Sequence, residues 1–190
     1  MGVLCENLIF VHVPKTGGTS IEGVLRERNG KLLMHNELNR HAYPEDTQPL
    51  MGEGFIRFAF VRNPWDQFVS LWASLRQTDH AEWGRLSFEE FVKRWIEKGN
   101  LQYRYFHPSF SKWYSFVGRF ERLQEDWKKF VDLYAKWLPA KLPVKNISIH
   151  EDYQECYTDT LRDMVTEAEA GVINQFGYKF GSEHGNHHQE

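Results

Sequence analysis

Two short stretches carry residue types that handle anions. The first, HVPKTGGTS, runs from His12 to Ser20. An apolar run, Leu8–Val13, stops at Pro14; Lys15 and Thr16 follow, then Gly17, Gly18, Thr19 and Ser20. Adjacent glycines let the backbone approach a ligand closely and adopt positive φ. Three hydroxyls and one mobile ammonium accompany them. A helix that starts here leaves its first N–H groups unpaired, and its dipole favours an anion at that end. The bland alternative is a strand-to-helix turn that uses glycine for geometry and lysine for solubility.

The second stretch, FVRNPWDQFVS, runs from Phe60 to Ser70. Arg62 leaves another apolar run, Ile56–Val61. Asn63 reads as a helix N-cap and Pro64 as the first helical position. On that helix Ser70 shares a face with Asn63, Asp66, Gln67 and Ser74. Alone, Ser70 is a solvated serine. With Arg62, a forked guanidinium and a hydroxyl make a second phosphate site. Two anion sites on neighbouring strand ends suit a ligand phosphorylated at two places. Lys15 precedes both glycines, whereas the ATP-binding pattern G-x-x-x-x-G-K-[ST] puts lysine after them, so an ordinary ATP–Mg²⁺ site is disfavoured.

The elements that must position these loops alternate along the chain. Strands are expected at Leu8–Val13, Lys31–Met34, Ile56–Val61 and Ser115–Phe120. Helices are expected at Thr19–Arg28, with Thr19 and Glu22 as a capping box, and from Pro64, with Trp65, Phe68, Val69, Trp72 and Leu75 at helical spacing. Ser87 and Glu90 make another capping box, and Phe88, Phe91, Val92, Trp95 and Ile96 give the helix after it an apolar face. Further helices are expected at Leu123–Leu138 and Thr158–Gln175. Residues 99–114 lack a period and read as a long loop, with Tyr103, Tyr105, Phe106, His107 and Trp113 available to touch a ligand. Strands alternating with helices predict an α/β fold with a parallel sheet covered on both faces. In such sheets ligands sit beyond the carboxyl ends of the strands.

The totals narrow the function. A chain of 190 residues with 41% hydrophobic residues is long enough for one domain with a proper core. A formal charge of −3 gives no reason to expect nucleic-acid binding, so any anion site must be local. Cys5 and Cys156 form no disulfide framework and lack metal-ligand spacing, which reads as ordinary thiols in a reducing compartment. No signal peptide is visible and no run approaches the ~20 apolar residues of a membrane span. A cytoplasmic protein without a membrane partner is expected. The seven tryptophans read as core bulk first and as an aromatic acceptor cleft second. Residues 183–190 form a polar tail, expected to fray, whose histidines are not read as a metal site.

At this point the sequence resembles a known family. HVPKTGGTS looks like the 5′-phosphosulfate loop of sulfotransferases that use 3′-phosphoadenosine-5′-phosphosulfate (PAPS), and FVRNPWDQFVS looks like their 3′-phosphate motif. The likeness is greatest to the branch of bacterial and carbohydrate sulfotransferases that includes heparan 2-O-sulfotransferase. FVGRFERLQEDW (Phe116–Trp127) and the stretch from Tyr157 to Phe180 extend it over most of the chain. The resemblance implies a P-loop-kinase-like three-layer sandwich with a central parallel sheet, as a single domain over residues 1–182. It implies that Lys15, Thr16, Gly17, Gly18, Thr19 and Ser20 hold the 5′-phosphosulfate, and that Arg62 and Ser70 hold the 3′-phosphate. PAPS carries about four negative charges, which would explain a local basic site in a net acidic chain. The implied reaction is sulfuryl transfer to a hydroxyl or amine of a small-molecule or carbohydrate acceptor, without metal, leaving 3′-phosphoadenosine-5′-phosphate (PAP).

An acceptor hydroxyl must also lose its proton. Between the two loops, LLMHNELNRHAYPED offers His35, Glu37, His41, Glu45 and Asp46. In the heparan 2-O-sulfotransferase group a histidine lies about twenty residues before the motif arginine, and the resemblance makes His41, 21 before Arg62, the expected base. His35 and Glu37 are the alternatives, and a surface-loop histidine is the bland reading of His41. Two other functions compete: a nucleotide or small-molecule kinase of related fold, and a non-catalytic module that binds PAP.

Overall fold

The computed structural model of the protein describes residues 2–33, 54–99, 101–110, 112–143 and 152–181. The described chain divides into two compact units. The first takes in residues 1–61 and 108–146, and the second residues 62–107 and 147–190.

A five-stranded sheet organises the first unit, with strands β1 (Gly2–Cys5), β2 (Leu8–Val11), β3 (Lys31–Leu33), β4 (Ile56–Val61) and β5 (Phe116–Arg119). Their order is β3-β1-β2-β4-β5. β2, β4 and β5 are parallel, with Phe10 opposite Phe58 and Phe58 opposite Phe116. β1 runs antiparallel to both β2 and β3. The sheet is therefore mixed, which corrects the expectation of a wholly parallel one. The cause is a hairpin: Glu6 takes a φ of 52° and folds Gly2–Cys5 back onto Leu8–Val11. Its Glu-Asn turn lacks the Asn-Gly or Asp-Gly signal that announces such hairpins. The expected adjacency of the Leu8 and Ile56 strands is what the sheet shows.

Two helices pack on one face of this sheet, α1 (Gly18–Glu27) and α4 (Leu123–Tyr134). Pleating sends Val3, Leu8, Phe10, Phe58 and Phe60 to one face. There they meet Ile21, Val24 and Leu25 of α1 and Trp127, Phe130 and Val131 of α4. Phe58 stacks on Phe130 with ring centroids 3.9 Å apart. On β5, Gly118 is obligatory because a Cβ there would fall inside the Phe60 ring. Each residue of β2 is buried, which fixes the strand on which the first loop is mounted.

The second unit is helical. It holds α2 (Pro64–Gln77), α3 (Phe88–Glu97), α5 (Asp159–Ala168) and α6 (Ala170–Phe176). Ser87 and Glu90 form the expected capping box of α3. Phe68 and Phe91 pack edge to face between α2 and α3, and Trp83 packs edge-on against Phe91. The expected loop contains a 3-10 turn, Gln102–Arg104, in this unit and another, Pro108–Phe110, in the first. Tyr105 and Phe106 are buried in this unit, as is Trp113 in the first. The helix expected over Thr158–Gln175 breaks at Glu169, which ends α5 and precedes α6.

Candidate functional site

The first anion loop is built by conformations that ordinary residues avoid. β2 ends at Val11, and the Val13 N–H turns back to the Val11 carbonyl at 3.1 Å. Lys15 then takes a φ of 62° and Gly17 a φ of 80°. Left-handed backbone is unfavourable for a residue with a Cβ, so Lys15 is a local strain of the kind that clusters at ligand sites. Thr16 is fully buried, and its hydroxyl donates to the Val13 carbonyl at 2.9 Å. That bond closes the turn, so the Thr16 side chain shapes the loop from within. Ser20 is also buried, with its N–H on the Gly17 carbonyl at 3.1 Å.

The expected Thr19–Glu22 capping box does not form. Gly17 is the N-cap of α1, and as glycine it supplies no side-chain cap. Glu22 instead faces His12 Nδ1 at 3.6 Å and Arg26 at 3.4 Å. His12 and Arg26 hold its carboxyl below the usual glutamate range, while burial lowers the His12 imidazole below its ordinary value. His12 also explains Gly18. A Cβ on Gly18 would fall inside the imidazole ring, so glycine is required there by a neighbouring side chain of the protein itself. The first turn of α1 itself carries no acidic residue, which favours an anion at that end.

The second loop starts where β4 ends. Asn63 caps α2, its side chain accepting from the N–H groups of Trp65 and Asp66 at 3.1 and 3.5 Å, and Pro64 opens the helix as expected. Arg62 is only 4% exposed, and its Nε donates to Asp66 at 2.8 Å. Ser70 is fully buried, and Gln67 and Asn63 are nearly so. The solvated-serine reading of Ser70 is thereby excluded: the polar stripe of α2 faces inward.

Sequence reasoning passed over the residues that hold Arg62. Its backbone N–H donates to Gln102 Oε1 at 2.9 Å, and its carbonyl accepts from Gln102 Nε2 at 2.8 Å. The backbone N–H groups of Gln102 and Tyr103 donate in turn to the two carboxylate oxygens of Glu169, at 2.6 and 2.8 Å. Glu169 is fully buried, and burial pushes its carboxyl up to about 7 against these two bonds. The signal was present in the sequence: Glu169 lies on the apolar stripe of Leu161, Val165 and Val172, where a carboxylate must have a partner. Nearby, the Tyr153 hydroxyl accepts from Gly181 N–H at 2.7 Å, and the Tyr157 hydroxyl donates to the Trp65 carbonyl at 3.0 Å.

Lys15 to Ser20 thus form one continuous loop and helix start in the first unit, while Arg62 and Ser70 belong to the second. His35, Glu37, His41, Glu45 and Asp46 lie outside the described residues. Among the described residues, no group of three or more His, Cys, Asp or Glu side chains could hold a metal ion, and no helix is long and apolar enough to cross a membrane.

Comparison with known proteins gives one family. The model of the family described as "Sulfotransferase family" matches residues 5–176. A protein of Archaeoglobus fulgidus, described only as uncharacterized, is 32% identical over 107 residues, covering 54% of this chain and 86% of its own length. No solved structure matches.

Proposed function

The chain belongs to the sulfotransferase family, and on that premise we propose that it moves a sulfuryl group from PAPS to a hydroxyl or amine of a small-molecule or carbohydrate acceptor. The observation that carries this reading is the start of α1: a strand-to-helix turn with Lys15 and Gly17 in left-handed backbone, and a glycine as its N-cap. Such an end offers N–H groups and a positive dipole to a doubly charged group. The parallel pairing of β2 and β4 supports the same reading, since the chain leaves both strands at one end of the sheet. The family match over residues 5–176 supports reading that span as one sulfotransferase domain.

In this reading the Thr16–Ser20 backbone holds the 5′-phosphosulfate, and Arg62 and Ser70 hold the 3′-phosphate. The donor supplies an activated sulfuryl group. Lys15 neutralises the charge that develops on the oxygen joining phosphorus and sulfur as its bond to sulfur breaks. His41 takes the proton of the acceptor hydroxyl as that oxygen bonds to sulfur, with His35 or Glu37 as the next candidates. The products are the sulfated acceptor and PAP.

Calorimetry with PAP and with ATP–Mg²⁺ tests the donor without knowledge of the acceptor. PAP should bind with no metal added. Lys15→Ala and Arg62→Ala should each weaken it by about 1.5–3 kcal/mol, roughly tenfold to over a hundredfold. ATP–Mg²⁺ binding as tightly as PAP would favour a kinase instead. Isotopic transfer from PAPS into an acceptor panel separates the enzyme from a module that only binds PAP.

A further inference from the structure

Arg62 stands where a strand ends and a helix begins, and both of its peptide groups have side-chain partners. Gln102 supplies them. Its side-chain amide, which is 1% exposed, accepts from the Arg62 N–H and donates to the Arg62 carbonyl. A primary amide bonded at both ends to one residue's backbone imitates a neighbouring strand and fixes the direction in which that residue's side chain leaves. Gln102 is itself held from behind. The Glu169 carboxylate spans the N–H groups of Gln102 and Tyr103, and Glu169 is placed by the break between α5 and α6. The Tyr103 ring lies so close over Gly171, the second residue of α6, that a Cβ there would enter it. The 3-10 turn is therefore gripped from two directions by one helix junction.

We propose that Gln102 and Glu169 are positioning residues for anion recognition: Glu169 locks the Gln102–Tyr103 turn, and Gln102 aims Arg62 at the 3′-phosphate of the donor. This rests on the 3′-phosphate role given to Arg62 above. A carboxylate suits the task better than an amide. Both of its oxygens accept, so it satisfies two N–H groups at once, whereas glutamine would turn an NH₂ toward one of them. The Asp66 contact to Arg62 Nε fixes the far end of the same side chain.

The test compares two ligands that differ only in the 3′-phosphate, PAP and adenosine 5′-phosphate, by calorimetry on the full chain at a pH above about 8, where the Glu169 carboxyl is ionised. Gln102→Glu keeps an acceptor for the Arg62 N–H but loses the donor to its carbonyl, and Glu169→Gln loses one of two acceptors. Each should weaken PAP about tenfold, the size expected for one buried group left unpaired, while adenosine 5′-phosphate affinity stays within about twofold. Equal losses for both ligands would overturn the inference, because a general loosening of the fold does not distinguish them. If neither variant shows a folded baseline in thermal melting, the inference also fails, and the network is a folding element only. Arg62→Ala separates the two levels. If it leaves PAP binding intact, the 3′-phosphate site itself is wrong. If it weakens PAP while Gln102→Glu does not, only the positioning role is wrong.

Discussion

Gly18→Ala makes a sharp test because two local effects pull in opposite directions. Gly18 is the first residue of α1 and its φ is not in the left-handed region. Alanine at a helical position ordinarily gains up to about 1 kcal/mol over glycine. Here the new Cβ would land in the His12 imidazole. The His12 side chain is 10% exposed, stacks on Phe10 at 5.7 Å between centroids, and faces Glu22, so it has no easy retreat. Overpacking of this kind typically costs about 1–3 kcal/mol. The net expectation is a destabilisation on the order of 1–2 kcal/mol in the native background. In a His12→Ala background the obstacle is gone, and Gly18→Ala should be neutral or stabilise by a few tenths to about 1 kcal/mol. Urea denaturation of the four proteins of this double-mutant cycle reads the coupling directly. The same sign for Gly18→Ala in both backgrounds would refute the packing explanation and return Gly18 to the ligand as its reason for being glycine.

Stability should depend on pH through two buried groups of opposite sense. A proton binds folded Glu169, at about 7, more readily than an unfolded glutamate near 4.5. Stability present below about 4.5 is therefore lost as the pH rises toward about 7, by an amount on the order of 3 kcal/mol, and Glu169→Gln should flatten that slope in pH-dependent melting. His12 works the other way, because burial disfavours its protonated form. Its contribution is lost as the pH falls through the unfolded value of about 6.5, and His12→Asn should remove it, which the same melts check. Replacing the α2 cap by Asn63→Ala should lower stability by roughly 0.5–2 kcal/mol in urea titration. His41→Ala should cut turnover by roughly 10²–10⁴-fold with PAP affinity nearly unchanged. Near-normal turnover would move the base to His35 or Glu37.

The parts of the fold that were legible announce themselves locally. The β2 and β4 strands are apolar runs closed by Pro14 and by Asn63-Pro64, and the α2 and α3 starts follow from Asn63 and from the Ser87–Glu90 pair. What was not legible depends on partners distant in sequence. Gly2–Cys5 is too short and its turn too plain to declare a strand; only its two antiparallel neighbours make it one. The Thr19–Glu22 box has the right spacing for a cap, yet Glu22 has a better offer in His12 and Arg26. A spacing rule counts one competitor, and the fold counts all of them.

Both anion loops could be singled out because their chemistry is compressed into a few residues each. The residues that hold one of them could not, because they are scattered: Gln102 lies 40 positions from Arg62, and Glu169 lies 67 from Gln102. Each still leaves a trace. Glu169 on an apolar stripe violates the pattern that burial imposes, and the buried face of α2 carrying Gln67 and Ser70 does the same. A polar residue where the period demands an apolar one must be satisfied from elsewhere in the chain, since the alternative is a desolvated group without a bond. Reading such violations as demands for a partner would have pointed from Glu169 to an N–H pair. The turn at Gln102–Tyr103 is what meets that demand.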